Sequence, residues 1–251
     1  WSSRAMKTQA ELNVARNIQR DMLPCIFPPF PDRQEFDIYA TMDPAKEVGG
    51  DFYDFFLVDD KHLALVISDV SGKGVPAALF MVIAKTLIKN QTQPDVSLGE
   101  VFTRVNDQLC ENNGEGMFVT SFMAVLDLDT LELTYVNAGH NPPVLRRNNG
   151  EFSFLKINPG FVLAGLEGMM YKEDKISLAK GDRLFLYTDG VTEANNPSGE
   201  LFGDDRLLES LNKNATLPLD QLLGGVKASM DAFSAGAEQF DDITMMVLEV
   251  R

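Results

Sequence analysis

Cysteine and histidine are scarce in this chain, which has two of each among its 251 residues. Cys25 and Cys110 are far apart and share no motif, so we predict a reducing compartment and no disulfide framework. Neither cysteine is followed by the arginine that a cysteine-based phosphatase loop requires. The separate histidines, His62 and His140, exclude an H-E-x-x-H pair and a histidine-rich zinc site.

Positive charge is also in deficit, because 22 lysines and arginines stand against 37 aspartates and glutamates, for a formal net charge of −15. Such a surface repels phosphate backbones and anionic lipid heads, so we predict neither a nucleic-acid partner nor direct membrane contact by this domain. The remaining composition, 45% hydrophobic and 24% charged, is that of an ordinary globular chain. The length fits one large domain with an appended helix better than two equal domains.

Long apolar runs are missing as well. The longest, Val75 to Ile88, is interrupted by Pro76 and Lys85 and is too short to span a bilayer. The first four residues contain no apolar signal core. We therefore expect a cytoplasmic domain, and membrane tethering through another part of a longer protein stays an open alternative.

The first 35 residues are predicted to form a helix and a connection. The helix runs from about Ala5 to Leu23, with an apolar stripe of Leu12, Ala15, Ile18 and Met22. This stripe either packs on the chain's own domain or forms the seam of a homodimer. Four prolines between Pro24 and Pro31 then end the helix. We predict a linker or regulatory helix over residues 1–23, a proline-rich connection over 24–35, and a catalytic domain over 36–251.

Strands outnumber helices in the predicted domain, and several adjacent strands require antiparallel hairpins, so the fold class is α+β rather than a doubly wound parallel sheet. The predicted helices include an apolar one from Pro76 to Lys89, expected to be buried, together with Leu98–Asn112, Asp204–Lys213 and Leu219–Phe233. The predicted strands are Phe36–Met42, Phe52–Val58, Leu63–Val70, Phe118–Leu126, Leu131–Asn137, Val144–Arg147, Phe152–Leu155, Ile176–Leu178, Arg183–Tyr187 and Ile243–Val250.

Carboxylates stand at the ends of several predicted strands, beside glycine or another carboxylate. They are Asp51, Asp69, Asp189 and the pair Asp241 and Asp242. If the strands lie side by side, these groups converge, and like charges so close resist ionisation unless a cation compensates. An all-oxygen site without histidine or cysteine suits Mg²⁺ or Mn²⁺ rather than zinc.

The contexts of these aspartates match a known family in order along the chain. The matching segments are EVGGDFYD (47–54), DVSGKGVPAA (69–78), NAGHNP (137–142), YTDGVTE (187–193) and DDIT (241–244). The chain resembles the bacterial PPM-type serine/threonine phosphatases, the protein phosphatase 2C-like group that includes the sporulation stage II E and sigma-B-regulator phosphatases. The resemblance covers about residues 36–250, and the helix before Pro24 resembles the one that joins this domain to an upstream sensor.

The resemblance implies a sandwich of two antiparallel sheets flanked by helices, with two divalent cations, Mn²⁺ or Mg²⁺, at one end. Asp69 would bridge the metals, the Val70 carbonyl would bind one, and Asp51 would act directly or through water. Asp189 and one of Asp241 and Asp242 would complete the ligands; the family pattern favours Asp241 and leaves the choice open.

The implied activity is hydrolysis of phosphoserine and phosphothreonine by a metal-activated hydroxide, which needs no protein nucleophile. The implied substrate is a phosphorylated partner-switch protein, such as an anti-sigma-factor antagonist. His140 is interpreted as a structural hydrogen-bonding residue and Lys73 as a solvated lysine in a turn beside the metals.

Two features of the sequence admit rival interpretations. The segment Asp127-Leu128-Asp129-Thr130 resembles the start of a haloacid-dehalogenase-type phosphatase, but Leu131 stands where that motif needs Thr or Val, and the alternation after it favours a hairpin turn. The other rival is a catalytically silent PPM-type module that binds a phosphoprotein or dimerises. Its signature would be lost metal carboxylates, and here all of them are present.

Overall fold

The computed structural model describes residues 2–251. The helices are α1 (Ser3–Met22), α2 (Gly74–Gln91), α3 (Leu98–Cys110), α4 (Asp189–Thr192), α5 (Gly203–Lys213) and α6 (Leu219–Ser234). The strands are β1 (Phe36–Asp43), β2 (Asp51–Asp59), β3 (His62–Val70), β4 (Val119–Asp127), β5 (Glu132–Ala138), β6 (Val144–Arg146), β7 (Phe152–Phe154), β8 (Asp174–Ser177), β9 (Arg183–Tyr187) and β10 (Ile243–Val250).

The strands form two five-stranded antiparallel sheets, ordered β1-β10-β9-β6-β7 and β2-β3-β4-β5-β8. They pack as a sandwich in which β10 and β1 contact β2. Helices α2 and α3 lie against the second sheet, and α5 and α6 against the first. This is the α+β sandwich that the sequence predicts.

Buried apolar side chains fill the space inside the sandwich and beneath the helices. Strand β3 is buried along nearly its whole length, as its continuous apolar run predicts. A second cluster, which includes Tyr187, Leu211 and Leu222, joins α5 and α6 to their sheet. Packed side chains therefore hold the two sheets at a fixed separation.

Helix α1 differs from its predicted packing in one respect. Ser2 caps its N-terminus by accepting a hydrogen bond from the Ala5 amide at 3.4 Å. The face toward the domain consists of partly buried Leu12, Ala15 and Met22 and buried Gln19. Ile18, predicted to belong to this stripe, is instead 59% exposed, because Gln19 occupies the centre of the contact.

Helix α2 corrects a second expectation. Its sequence is apolar on most sides, which predicts burial all round, but Val75, Leu79 and Ile83 are 46%, 63% and 51% exposed. These residues are four apart and share one face, so one side of the helix packs on the sheet while this side meets solvent. Within residues 2–251 no helix has the length and apolar character needed to cross a bilayer.

The hairpin between β4 and β5 confirms the turn interpretation of Asp127. Its carboxylate accepts hydrogen bonds from the amides of Asp129 and Thr130, both at 2.9 Å, and so caps its own turn. The sequence did not predict the four-residue helix α4, which begins at Asp189 directly after β9 and its connecting Thr188. A single helical turn gives too few residues for a periodic signal.

Candidate metal-binding active site

Asp51 and Asp69 face each other across neighbouring strands. Asp51 begins β2 and Asp69 stands next to last in β3, and the antiparallel register pairs them directly. Cross-strand partners have Cβ atoms about 4.5–5.5 Å apart. The hairpin of β2 and β3 therefore brings these two carboxylates together at one end of the second sheet.

The first sheet supplies the other carboxylates at the same end of the sandwich. Asp189 follows β9, and Asp241 and Asp242 precede β10, its antiparallel neighbour. Gly190 lies so near β10 that a Cβ atom on it would be 1.8 Å from the Asp242 carbonyl oxygen. Glycine at this position allows the start of α4 to approach β10.

Two threonine hydroxyls connect the sheets through Asp51. Thr188 and Thr244 each donate to Oδ2 of Asp51 at 2.6 Å. Both threonines are fully buried and Asp51 is 1% exposed. Sequence reasoning missed these residues, although each lies within two positions of a predicted ligand, in YTD and DDIT. They fix the direction in which the Asp51 carboxyl points.

Both carboxylate oxygens of Asp242 accept hydrogen bonds from backbone amides. Its Oδ1 accepts from the Ala45 amide at 3.0 Å and its Oδ2 from the Asp51 amide at 3.2 Å. A Cβ on Gly49 would lie 2.0 Å from Oδ2, so glycine is required for this close packing. Asp242 thus ties the segment before β2 to β10, while Asp241 beside it remains partly exposed.

The carboxylates perturb one another strongly. Burial, followed by the charges of Asp69 and Asp242, raises the pKa of Asp51 well above its usual range. Burial also raises the pKa of Asp69 to about 7, with Asp241 and Asp189 adding repulsion. The pKa of Asp241 is raised by burial and by Asp242. These mutual effects place all five predicted aspartates in one electrostatic cluster.

One observation indicates that these oxygen ligands suit a hard cation. Oδ1 of Asp51 is buried and has no hydrogen-bond partner, although its twin Oδ2 has two. A buried carboxylate oxygen without a donor is costly, and a cation would satisfy it. Across residues 2–251 no three His, Cys, Asp or Glu side chains are already gathered closely enough to hold an ion on their own. Carbonyl and water oxygens would therefore complete any coordination.

The Val70 carbonyl, the predicted backbone ligand, lies beside the glycine segment that leads into β2. The Val70 amide donates to the Gly50 carbonyl at 3.2 Å, and a Cβ on Gly50 would be 3.0 Å from the Val70 carbonyl oxygen. Gly50 therefore permits the two backbone segments to lie in contact directly beside Asp51 and Asp69.

His140 and Lys73 occupy defined positions near the cluster. His140 is 5% exposed, and burial lowers its pKa to about 4, so the ring is neutral at physiological pH. Lys73 is exposed in the turn after β3, as predicted, and its ammonium donates to the Phe240 carbonyl and faces Asp241 and Glu193. Lys73 therefore brings positive charge to the rim of an otherwise acidic site.

Comparisons with known proteins agree with this architecture. A family model described as Stage II sporulation protein E (SpoIIE) matches residues 59–251. The SiaA-PP2C domain of Pseudomonas aeruginosa has the same fold, with a TM-score of 0.86 and 21% sequence identity over 100% of both chains.

Two curated relatives align with almost the whole chain. Protein IcfG of Synechocystis sp. is 34% identical over 95% of this chain, and phosphoserine phosphatase RsbU of Bacillus subtilis is 29% identical over 96% of it. The chain spans 41% of the length of the first relative and 70% of the second.

Proposed function

Because the chain belongs to the Stage II sporulation protein E (SpoIIE) family, we propose that it is a metal-dependent protein phosphatase acting on phosphoserine and phosphothreonine. The observation that carries the proposal is the convergence of acidic side chains around a buried Asp51 oxygen that has no hydrogen-bond donor. The relative RsbU is named a phosphoserine phosphatase, which supports the choice of substrate.

The proposed ligands of two divalent cations, Mn²⁺ or Mg²⁺, are Asp51 through Oδ1, Asp69, Asp189, Asp241 and the Val70 carbonyl. Asp242 is proposed as a supporting residue, because both of its oxygens already accept backbone amides. When bound, such cations supply a nucleophilic water at neutral pH and neutralise charge on the phosphoryl oxygens.

The chain's own residues orient this site and admit the substrate. The hydroxyls of Thr188 and Thr244 direct Asp51, which leaves Oδ1 facing away from them. Asp69, Asp189 and Asp241 are partly exposed, so a phosphorylated side chain on another protein has access to them. Cysteine chemistry has no place here, because Cys25 is exposed in the connection after α1 and Cys110 ends α3.

Hydrolysis of p-nitrophenyl phosphate and of a phosphoserine protein, each with Mn²⁺ and with EDTA, tests the proposal. We expect activity with Mn²⁺ and at least a hundredfold loss in Asp69→Asn and Asp189→Asn. Asp127→Asn is the matched control, since its carboxylate only caps a turn. Inactivity of the wild-type chain on both substrates would favour the silent binding module, and loss confined to Asp127→Asn would favour the haloacid-dehalogenase-type mechanism.

The proposed physiological substrate is a small phosphorylated partner-switch protein of the anti-sigma-factor antagonist type. Support comes from the resemblance of the motifs and from the similarity to RsbU, a phosphoserine phosphatase. Phosphate-affinity gels of such proteins from the same genome, incubated with the chain and Mn²⁺, are the direct test. We expect one of them to lose its phosphate faster than a phosphopeptide of the same local sequence.

Helix α1 is proposed to connect the domain to an upstream sensor and to pair with its copy in a second chain. Val14 and Ile18 are 58% and 59% exposed and lie one turn apart, on the side away from the domain. Sedimentation of wild type and Ile18→Glu tests the pairing. A concentration-dependent dimer that Ile18→Glu dissociates is expected, and equal monomeric behaviour of both would reject pairing.

A further inference from the structure

His140 is hydrogen-bonded through both ring nitrogens to groups that lie beside two predicted metal ligands. Nε2 is 2.9 Å from the Tyr187 carbonyl oxygen, and Nδ1 is 3.0 Å from Oγ1 of Thr120. A carbonyl only accepts, so Nε2 carries the proton and Nδ1 accepts from the threonine hydroxyl. In this buried ring, Nε2 is therefore the hydrogen-bond donor and Nδ1 the acceptor.

The two partners belong to different sheets. Thr120 lies in β4 and pairs directly with Asp69 of β3, and its hydroxyl is also 3.5 Å from the Asp69 carbonyl oxygen. Tyr187 ends β9, two residues before Asp189. The imidazole therefore spans the gap between the strand pair that carries Asp69 and the strand end that carries Asp189.

The turn before His140 is built to hold this ring. Oδ1 of Asn137 accepts from the His140 amide at 2.7 Å, and its Nδ2 donates to the His140 carbonyl at 2.9 Å. Gly139 has φ of 69°, and a Cβ there would lie 2.7 Å from a methyl group of Val162. Asn137 and Gly139 of the NAGHNP segment therefore both serve to place the His140 side chain.

We propose that His140 is a positioning residue that sets the separation between Asp69 and Asp189, and hence the affinity of the site for its cations. An imidazole is a rigid ring with a donor and an acceptor on opposite sides, so it fixes a distance that two flexible side chains would not. This inference rests on the proposed metal site. Residues that orient metal ligands from behind typically contribute about 10- to 100-fold in metal affinity.

Mn²⁺ binding, measured by electron paramagnetic resonance titration of the metal-free chain, tests this role with three variants. Thr120→Val removes the hydroxyl at one end of the ring, and His140→Gln keeps a donor in the place of Nε2 but loses the acceptor. We expect each to weaken Mn²⁺ binding by about 10- to 100-fold. The double variant should bind Mn²⁺ about as tightly as the more affected of the two single variants, because both changes break the same hydrogen bond.

Ser210→Ala is the matched control, because it removes the hydrogen bond of the buried Ser210 hydroxyl to half-buried Ser229 between α5 and α6, away from the acidic cluster. It should lower thermal stability and leave Mn²⁺ affinity within twofold of wild type. Long-range ¹H–¹⁵N spectra of the metal-free wild type should show His140 protonated at Nε2 alone.

The outcomes separate this inference from the proposed function. If wild type itself binds no Mn²⁺, the proposed metal site fails. If wild type binds Mn²⁺ and folded Thr120→Val binds it equally well, the positioning role fails while the metal site stands. Should His140→Gln not fold, Thr120→Val decides alone, since it leaves the histidine in place.

Discussion

The side chain of Gln19 is hydrogen-bonded to both backbone groups of Gly49. Its Nε2 donates to the Gly49 carbonyl at 2.7 Å, and its Oε1 accepts from the Gly49 amide at 3.0 Å. Gln19 is 5% exposed although the rest of α1 is mostly in solvent. A residue of the N-terminal helix is therefore bound to the segment two positions before Asp51.

Replacing this glutamine should release the Gly49 segment. Gln19→Ala leaves a buried amide and carbonyl without partners, at a cost of about 1–3 kcal/mol. We expect the Gly49 amide to exchange its hydrogen about tenfold faster or more, because Gln19 is its hydrogen-bond acceptor. Gln9→Ala is the control, because Gln9 is exposed and its side chain donates to Asn13 and Glu47 rather than to Gly49. Unchanged exchange at Gly49 in Gln19→Ala would mean that α1 does not hold this segment.

Gln19 also marks a limit of prediction from the sequence. The apolar stripe of α1 was predicted from Leu12, Ala15, Ile18 and Met22, and three of these do face the domain. The contact is centred on a polar residue because a backbone segment, not an apolar surface, lies opposite. A hydrophobic pattern does not reveal such a partner. The visible signal was a glutamine four residues after Ala15 and three before Met22.

Asp51→Asn should separate stability from activity. In the metal-free chain, burial and neighbouring charges oppose ionisation of Asp51, so the amide should stabilise the fold by roughly 1–4 kcal/mol at pH 7. With Mn²⁺ the order should reverse, because bound metal stabilises the native wild type. Thermal unfolding with EDTA and with Mn²⁺, alongside phosphatase assays, measures both effects.

Asp182→Asn is the matched control for that experiment. Asp182 is 2% exposed, but Arg147 and the amides of Asn148 and Ala179 all donate to it. The same substitution should therefore destabilise the chain with or without Mn²⁺. If Asp51→Asn also destabilised the metal-free chain, the repulsion assigned to the acidic cluster would be contradicted.

The ionisation of Asp69 should lower the stability of the metal-free chain as pH rises. Its folded pKa is about 7 against a usual 3.8, so the folded state binds more protons than the unfolded state between these values. The stability gained by Asp69→Asn over wild type should therefore grow from pH 4 to pH 7, by at most about 4 kcal/mol. Urea unfolding in EDTA at several pH values measures the difference.

His140 contributes with the opposite sign and must be considered in the same pH range. Its folded pKa of about 4 lies below the usual 6.5, so the unfolded state binds more protons and stability rises with pH between these values. Because this contribution is present in both proteins, it cancels in the comparison of Asp69→Asn with wild type. A pH-independent difference would show that Asp69 ionises normally in the fold.

The positions of the carboxylates followed from the sequence because apolar runs end at them. The runs before Asp69 and Asp189 predict buried strands, and antiparallel pairing then brings Asp51 opposite Asp69. The role of Thr188 and Thr244 did not follow, because it depends on how far the two sheets approach each other. That distance is set by side-chain packing across the sandwich, which no local pattern encodes.

The exposed face of α2 was mispredicted for a related physical reason. Val75, Leu79 and Ile83 are as apolar as the residues on the buried face, so composition alone cannot tell which side the sheet covers. The sequence predicts that this helix exists and is apolar. Only the position of the sheet determines which of its sides is buried.

Gly190→Ala should damage the site through the backbone. A Cβ there would lie 1.8 Å from the Asp242 carbonyl oxygen, a backbone atom that cannot rotate away. The start of α4, which carries Asp189, must then move from β10, with a loss of about 1–3 kcal/mol or more. We expect lower thermal stability together with weaker Mn²⁺ binding, because the displaced element carries a proposed ligand.

Gly224→Ala is the control for Gly190→Ala, and we expect it to raise stability rather than lower it. Gly224 lies within α6 and a Cβ on it would meet nothing within 4 Å, so alanine should stabilise the helix by about 0.5–1 kcal/mol. Its Mn²⁺ affinity should equal that of wild type. Equal Mn²⁺ affinity in Gly190→Ala would contradict the close approach of α4 to β10 as a requirement of the site, since the two variants differ only in what the added methyl group meets.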